Sequence, residues 1–203
     1  MVALSPAPMV RRRPPWWLLA AKIALVALML TGALFPEVGG FAGKGTAYRL
    51  PLFLPPALVI PIIWMVRRRS SSAYPVALDV GLTLPFLLDT AGNAFGLYDS
   101  VDLTDDVLHF VNWALLFGGV TTALRRADLP KWIVWAAGSG FGAMGSIGWE
   151  VSEYAVMQTG VAGLHLTYRD TLGDLVLSTL GGCFGALVAV RGLRSWSRKP
   201  RSA

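Results

Sequence analysis

Six long apolar runs, at residues 16–35, 50–66, 76–97, 107–124, 132–149 and 171–190, constrain this chain more than any other feature. Each is close to the roughly 20 residues that an α-helix needs to cross a hydrocarbon core about 30 Å thick. Charged residues make up only 15% of the 203, where a soluble domain carries about 25%. The expected fold is therefore all-α: a polytopic membrane helical bundle of about six transmembrane helices over residues 16–194. Residues 1–15 and 195–203, rich in proline and arginine, read as short disordered tails. The loops are too short to hold a separate soluble domain.

A net charge of +6 and a pI near 9.9 invite a nucleic-acid reading, and the placement of the charges decides against it. Arg11–Arg13 precede the first run, Arg67–Arg69 follow the second, Arg125, Arg126 and Lys131 separate the fourth from the fifth, and five basic residues follow the sixth. A chain that zigzags six times puts all these clusters on one side. This is the positive-inside pattern, and it places both termini in the cytoplasm. Topology thus accounts for the basic residues, and no nucleic-acid partner is expected. Lys22, inside the first run, is expected to snorkel to the interface. That run is too long for a typical signal-peptide core and reads as a retained helix. Cys183, the single cysteine, sits mid-span as a small packing residue, which leaves neither a disulfide framework nor a thiolate metal site.

The second run holds Pro51, Pro55, Pro56 and Pro61, which predict a bent or locally unwound helix shielded by its neighbours. In the third, Pro85 removes the amide that would bond the Gly81 carbonyl, so a kink is expected there. Gly138 and Gly142 in the fifth run, and Ser178, Gly181, Gly182 and Gly185 in the sixth, are spaced for close helix contact.

The acids are as unevenly placed as the bases. Asp89, Asp99, Asp102, Asp105, Asp106, Glu150, Glu153, Asp170 and Asp174 all belong to the outer ends of spans or to outer loops. At 1.5 Å of rise per residue, His109, Glu150 and Asp174 lie about one turn inside their helices and Asp89 about two. On the fifth and sixth spans the carboxylates continue the rows Gly138, Gly142, Ser146, Glu150 and Asp174, Ser178, Gly182, Ala186, which are expected to face other helices. Asp79, Thr83, Asp89, Thr90 and Asn93 share one stripe of the third span, and Asp105, His109 and Asn112 follow one another along the fourth.

Taken singly, several of these residues have ordinary explanations. Asp105, Asp106 and Asp170, and less easily Asp174, suit the positive end of a helix dipole, His109 suits hydrogen-bonded packing, and His165 suits a solvated loop. Glu150 and Glu153 escape this account because they lie at a helix C-terminal end, where the dipole disfavours anions. A buried acid at membrane depth costs on the order of 3 kcal/mol at the centre, so such groups persist where they pair or work. The visible cations at that level are His109 and Arg169, too few for the acids. A divalent metal held by oxygen ligands and one imidazole is the economical solution, with His109, Glu150, Glu153, Asp170 and Asp174 as candidate ligands. Asp89, Asn93 and Asp105 complete the polar site.

Three blocks in this region, "DDVLHF" (105–110), "WEVSEY" (149–154) and "DTLGDLVLSTLGG" (170–182), together resemble the YjdF-like bacterial inner-membrane family. More distantly they resemble the VanZ-like family, linked to teicoplanin resistance, although Ser178 stands where that pattern carries Asn. The resemblance covers about residues 75–190 and puts Asp105, His109, Glu150, Glu153, Asp170 and Asp174 at motif positions. It implies a multi-pass protein of the bacterial cytoplasmic (inner) membrane with a polar site, and it brings no reaction.

Three functions are compatible with these residues. The first is a membrane enzyme acting near the outer leaflet on a lipid or lipid-linked envelope compound, with a metal polarising a phosphate or carbonyl oxygen and Asp106, His109 and Glu150 as candidate catalytic groups. The second is proton or ion translocation along the polar face of the third span, through Asp79 and Asp89. The third is a non-catalytic scaffold or lipid-binding protein whose carboxylates fasten helices together.

Overall fold

The computed structural model describes residues 13–67, 73–125, 127–161 and 166–192. Most of both expected tails, and His165, fall outside them. Among the described residues there are eight α-helices and no strand: α1 Trp16–Leu34, α2 Thr46–Val66, α3 Val76–Gly81, α4 Leu84–Ala94, α5 Leu97–Ser100, α6 Thr104–Leu124, α7 Lys131–Met157 and α8 Tyr168–Gly192. By length and hydropathy, α1, α2, α6 and α8 qualify as membrane-crossing helices. The fifth apolar run is α7, a longer helix that carries five glycines and then Glu150 and Glu153. The third run is shared by α3 and α4, so the six expected segments correspond to four clear spans, one further long helix and one broken one.

The break in the third segment has a local cause. Pro85 occupies the first turn of α4 and has no amide to offer the Gly81 carbonyl. Leu82 and Thr83 leave helical geometry just before it, at φ −90°, ψ 2° and φ −122°, ψ −52°. The second segment behaves differently from expectation. Despite its four prolines, α2 runs as one continuous helix, and it is the least buried of the four clear spans. The physical reason is visible at one proline. Pro61 frees the Ala57 carbonyl four residues earlier, and the Lys22 ammonium of α1 donates to that oxygen.

Lys22 does not snorkel. It is 6% exposed and also donates to Asp79 Oδ1 and Thr83 Oγ1, each at 2.7 Å. Asp79 accepts a second bond from the Tyr74 hydroxyl, so α1, α2 and the α3–α4 break are joined at one buried ion pair. Burial and the Asp79 hydrogen bond push the Tyr74 phenol above its usual range, which keeps it protonated and donating. On the same face of α1, Leu25 and Met29 pack against Phe53 and Ala57 of α2, with Phe86, Leu87 and Trp149 around them.

Neighbouring segments alternate in direction. Gly138 approaches Ala186 while Gly142 approaches Gly182, so α7 runs antiparallel to α8. Gly181 lies on the Phe110 carbonyl and Gly185 on that of Ala114, so α6 and α8 run parallel in the most extensive pairing of the molecule. A side chain at either position would collide with backbone, which cannot rotate away. We expect Gly185→Val to lower the unfolding midpoint in detergent, at an overpacking cost of about 1–3 kcal/mol or more. Gly140→Ala is the control: a Cβ there meets nothing within 4 Å, and the change should be neutral or slightly stabilising. Equal midpoints for the two variants would contradict the packing described.

Candidate functional site

At the end of the bundle where α6 and α8 begin and α7 finishes, the acids divide into two groups with different chemistry. The first is built on α6 and α8. Asp105 and His109 are one helical turn apart on α6, and the parallel packing set by Gly181 and Gly185 brings Asp174 and Ser178 of α8 opposite them. His109 Nε2 lies 3.5 Å from Asp105 Oδ1 and 3.7 Å from Asp174 Oδ1. Its Nδ1 lies 2.9 Å from Ser178 Oγ. If Nδ1 carries the proton and donates to Ser178, the Nε2 lone pair is left facing the two carboxylates. One donor atom from each of Asp105, His109 and Asp174 falls within 4.8 Å of the others.

Beside this triad, Glu150 of α7 continues the buried row of Gly138, Gly142 and Ser146. The residue is 7% exposed, and neither carboxylate oxygen has a hydrogen-bond partner among the described residues. It is near enough to Asp105, Asp170 and Asp174 for their charges to act on one another. A buried carboxylate without partners is costly, and a cation or a shared proton is what relieves it.

The second group has its own cation, which the sequence reading overlooked. Arg49, near the start of α2, pairs with Asp89 at 3.0 Å and with Glu153 at 3.6 Å. Tyr98 of α5 donates to the other Asp89 oxygen at 2.6 Å. Burial and the Asp89 charge hold this phenol above its usual range, so it remains a donor. The acids are thus less short of cations than their sequence positions imply. A signal was present all the same: Arg49 continues the buried row of Phe53 and Ala57 at four-residue spacing, and Lys22 sits among buried Leu18, Leu25 and Met29 in the same way.

The remaining candidates are spread around these two groups. Asn93 is buried and donates to the Asp89 carbonyl at 3.0 Å. Asp170 is half-buried, its amide capped by Thr167, while Asp106 and Arg169 are exposed. Lys44 pairs with Asp99 at 2.6 Å at the surface. Of the five candidate metal ligands, the structure draws His109 and Asp174 together with Asp105, sets Glu150 next to them, gives Glu153 to Arg49 and leaves Asp170 at the edge.

Between α2, α4, α6 and α7 there is a cavity of about 240 Å³. Phe53, Phe86, Trp113 and Trp149 wall it, and Asp89, Tyr98, His109 and Asn112 supply its polar lining. Asn112 Oδ1 is buried and has no hydrogen-bond partner among the described residues. Since His109 belongs both to the triad and to this lining, the polar cluster and the apolar cavity adjoin.

Fold and site together define a polytopic helical membrane protein with an ionisable cluster buried at one end of its bundle. The chain belongs to the family described as a predicted membrane protein family (DUF2238), whose model matches residues 18–195. YjdF-like proteins fall within that family, so the first resemblance holds, while the link to VanZ-like proteins finds no support. No curated protein and no solved structure matches the chain.

Proposed function

We propose that the protein is a divalent-metal-dependent enzyme of the bacterial cytoplasmic membrane that acts on the head of a membrane lipid or lipid-linked envelope compound near the outer leaflet. The orientation follows from the basic clusters, which put both termini in the cytoplasm and the acidic end outside. The observation that carries the reading is the convergence of Asp105, His109 and Asp174 within 4.8 Å of one another, beside a buried Glu150 that has no hydrogen-bond partner among the described residues. Ligands held about 2.1 Å from an ion stand about 3.0–3.4 Å apart, so the His109 distances of 3.5 and 3.7 Å need to close only slightly. Two carboxylates and an imidazole suit Mn, Fe, Zn or Mg. An ion there supplies Lewis acidity toward a phosphate or carbonyl oxygen. Glu150 is the proton acceptor in this reading, because it is buried beside the triad and has no hydrogen-bond partner among the described residues, while Asp106 is exposed.

The test is elemental analysis of protein purified in detergent without chelator. About one equivalent of a divalent metal is expected in the wild type and in Glu153→Gln, whose carboxylate belongs to Arg49. Asp105→Asn and Asp174→Asn should lose it. A metal-free wild type that also fails to take up Mn or Zn on titration would overturn the proposal.

A further inference from the structure

Resting on the reading of the polar cluster as the reaction site, we infer that the cavity between α2 and α7 receives one hydrocarbon chain of the lipid substrate directly from the bilayer, and that Gly148 keeps its entrance open. Position gives the first reason. The cavity begins at Asp89, Tyr98 and His109 and descends to Leu116, seven residues or about 10 Å further along α6, into the depth occupied by lipid tails. At that depth the medium is hydrocarbon, and a void walled by Phe53, Phe86, Trp113 and Trp149 is filled more favourably by a lipid tail than by water.

The entrance gives the second. α2 packs chiefly on α1 and reaches α7 through the Phe53–Trp149 stack and the Arg49–Glu153 pair. Leu52 of α2 and Gly148 of α7 both line the cavity and both are exposed, so the gap between these two helices is where the inferred entrance lies. A volume of about 240 Å³ lies just below the usual range of ligand sites, about 300–1,000 Å³, and takes part of one chain but not two. A lipid seated there would have its head beside His109, and hence beside Asp105 and Asp174.

Gly148 makes the inference testable without damage to the fold. A Cβ built on it meets no heavy atom within 4 Å, so a larger side chain can enter the opening without pushing on a neighbouring helix. Gly140, two turns away on the same helix, is equally unobstructed and does not line the cavity. The probe is a phosphatidylglycerol carrying a photoactivatable diazirine in one acyl chain, reconstituted with the full-length protein in vesicles and mapped by peptide mass spectrometry. Adducts are expected on cavity residues such as Trp113 and Trp149 in the wild type and in Gly140→Leu, and at least fivefold fewer in Gly148→Leu. Adducts confined to outward-facing side chains, or cavity labelling unchanged by Gly148→Leu, would overturn the inference. Each protein is also analysed for metal and labelled again after chelator treatment. The cavity predicts labelling that survives metal removal and Gly148→Leu protein that keeps its metal. Labelling in a protein that binds no metal would sustain the cavity and sink the enzyme, and metal without cavity labelling would do the reverse.

Discussion

Lys22→Met is expected to destabilise the protein by about 3–5 kcal/mol, the usual cost of stranding one member of a buried ion pair. For a chain of this size that lowers the unfolding midpoint on the order of 10 °C. The size of the effect follows from what the ammonium holds. All three of its donors are used, on the Ala57 carbonyl, Asp79 Oδ1 and Thr83 Oγ1, and Asp79 has no exposure through which water could replace it. The variant therefore strands a carboxylate and a proline-freed carbonyl together. Lys22→Met combined with Asp79→Leu removes both charges and should recover much of the loss, since apolar replacement of a buried pair is often neutral or better. Thermal unfolding of the four members of this cycle measures the coupling. Single variants as stable as the wild type would mean that the pair contributes nothing, and the description of α1, α2 and the α3–α4 break as joined there would fail.

The second large effect concerns affinity. If the polar cluster holds the divalent metal proposed above, His109→Ala should weaken its binding by more than about 100-fold, because it removes the one candidate nitrogen ligand. Ser178→Ala should weaken it about 10–100-fold, the range found when a group that orients a ligand is lost. Ser178 is placed to act only through the imidazole: its Oγ is 2.9 Å from Nδ1, on the side of the ring away from the two carboxylates. Acidification should weaken binding in every variant that retains ligands, since the metal competes with protons for them. Titration calorimetry with Mn or Zn reads all three effects. If the cluster were merely a hydrogen-bonded fastening between α6 and α8, Ser178→Ala would lower the unfolding midpoint and no metal isotherm would be found to change.

Much of the architecture was legible because membrane helices are specified by local composition. Run lengths mark the segments, and Pro85 marks the break between α3 and α4 through its missing donor. The rows ending in Glu150 and beginning at Asp174 run along buried faces because small residues at four-residue spacing mark the side on which a neighbour presses. The same rule could have read Lys22 and Arg49 as buried, since each lies on an apolar row. The charge of Lys22 argued for the interface instead, and charge was the wrong guide where a carboxylate waited on another helix.

Partnership was decided only by tertiary structure. Asp89 and Glu153, 64 positions apart, share Arg49, whereas Asp105 and Asp174, 69 apart, converge on His109. Nothing local distinguishes these acids. By itself the chain determined that helices form, that the third run breaks at Pro85 and that rows of small residues turn inward, since these depend on backbone donors and on side chains a few residues apart. Which acid meets a cation and which is left to find one depends on how α2, α6, α7 and α8 rotate and slide against one another. Glycine contacts between distant segments set that register, and they exist only once the bundle has closed.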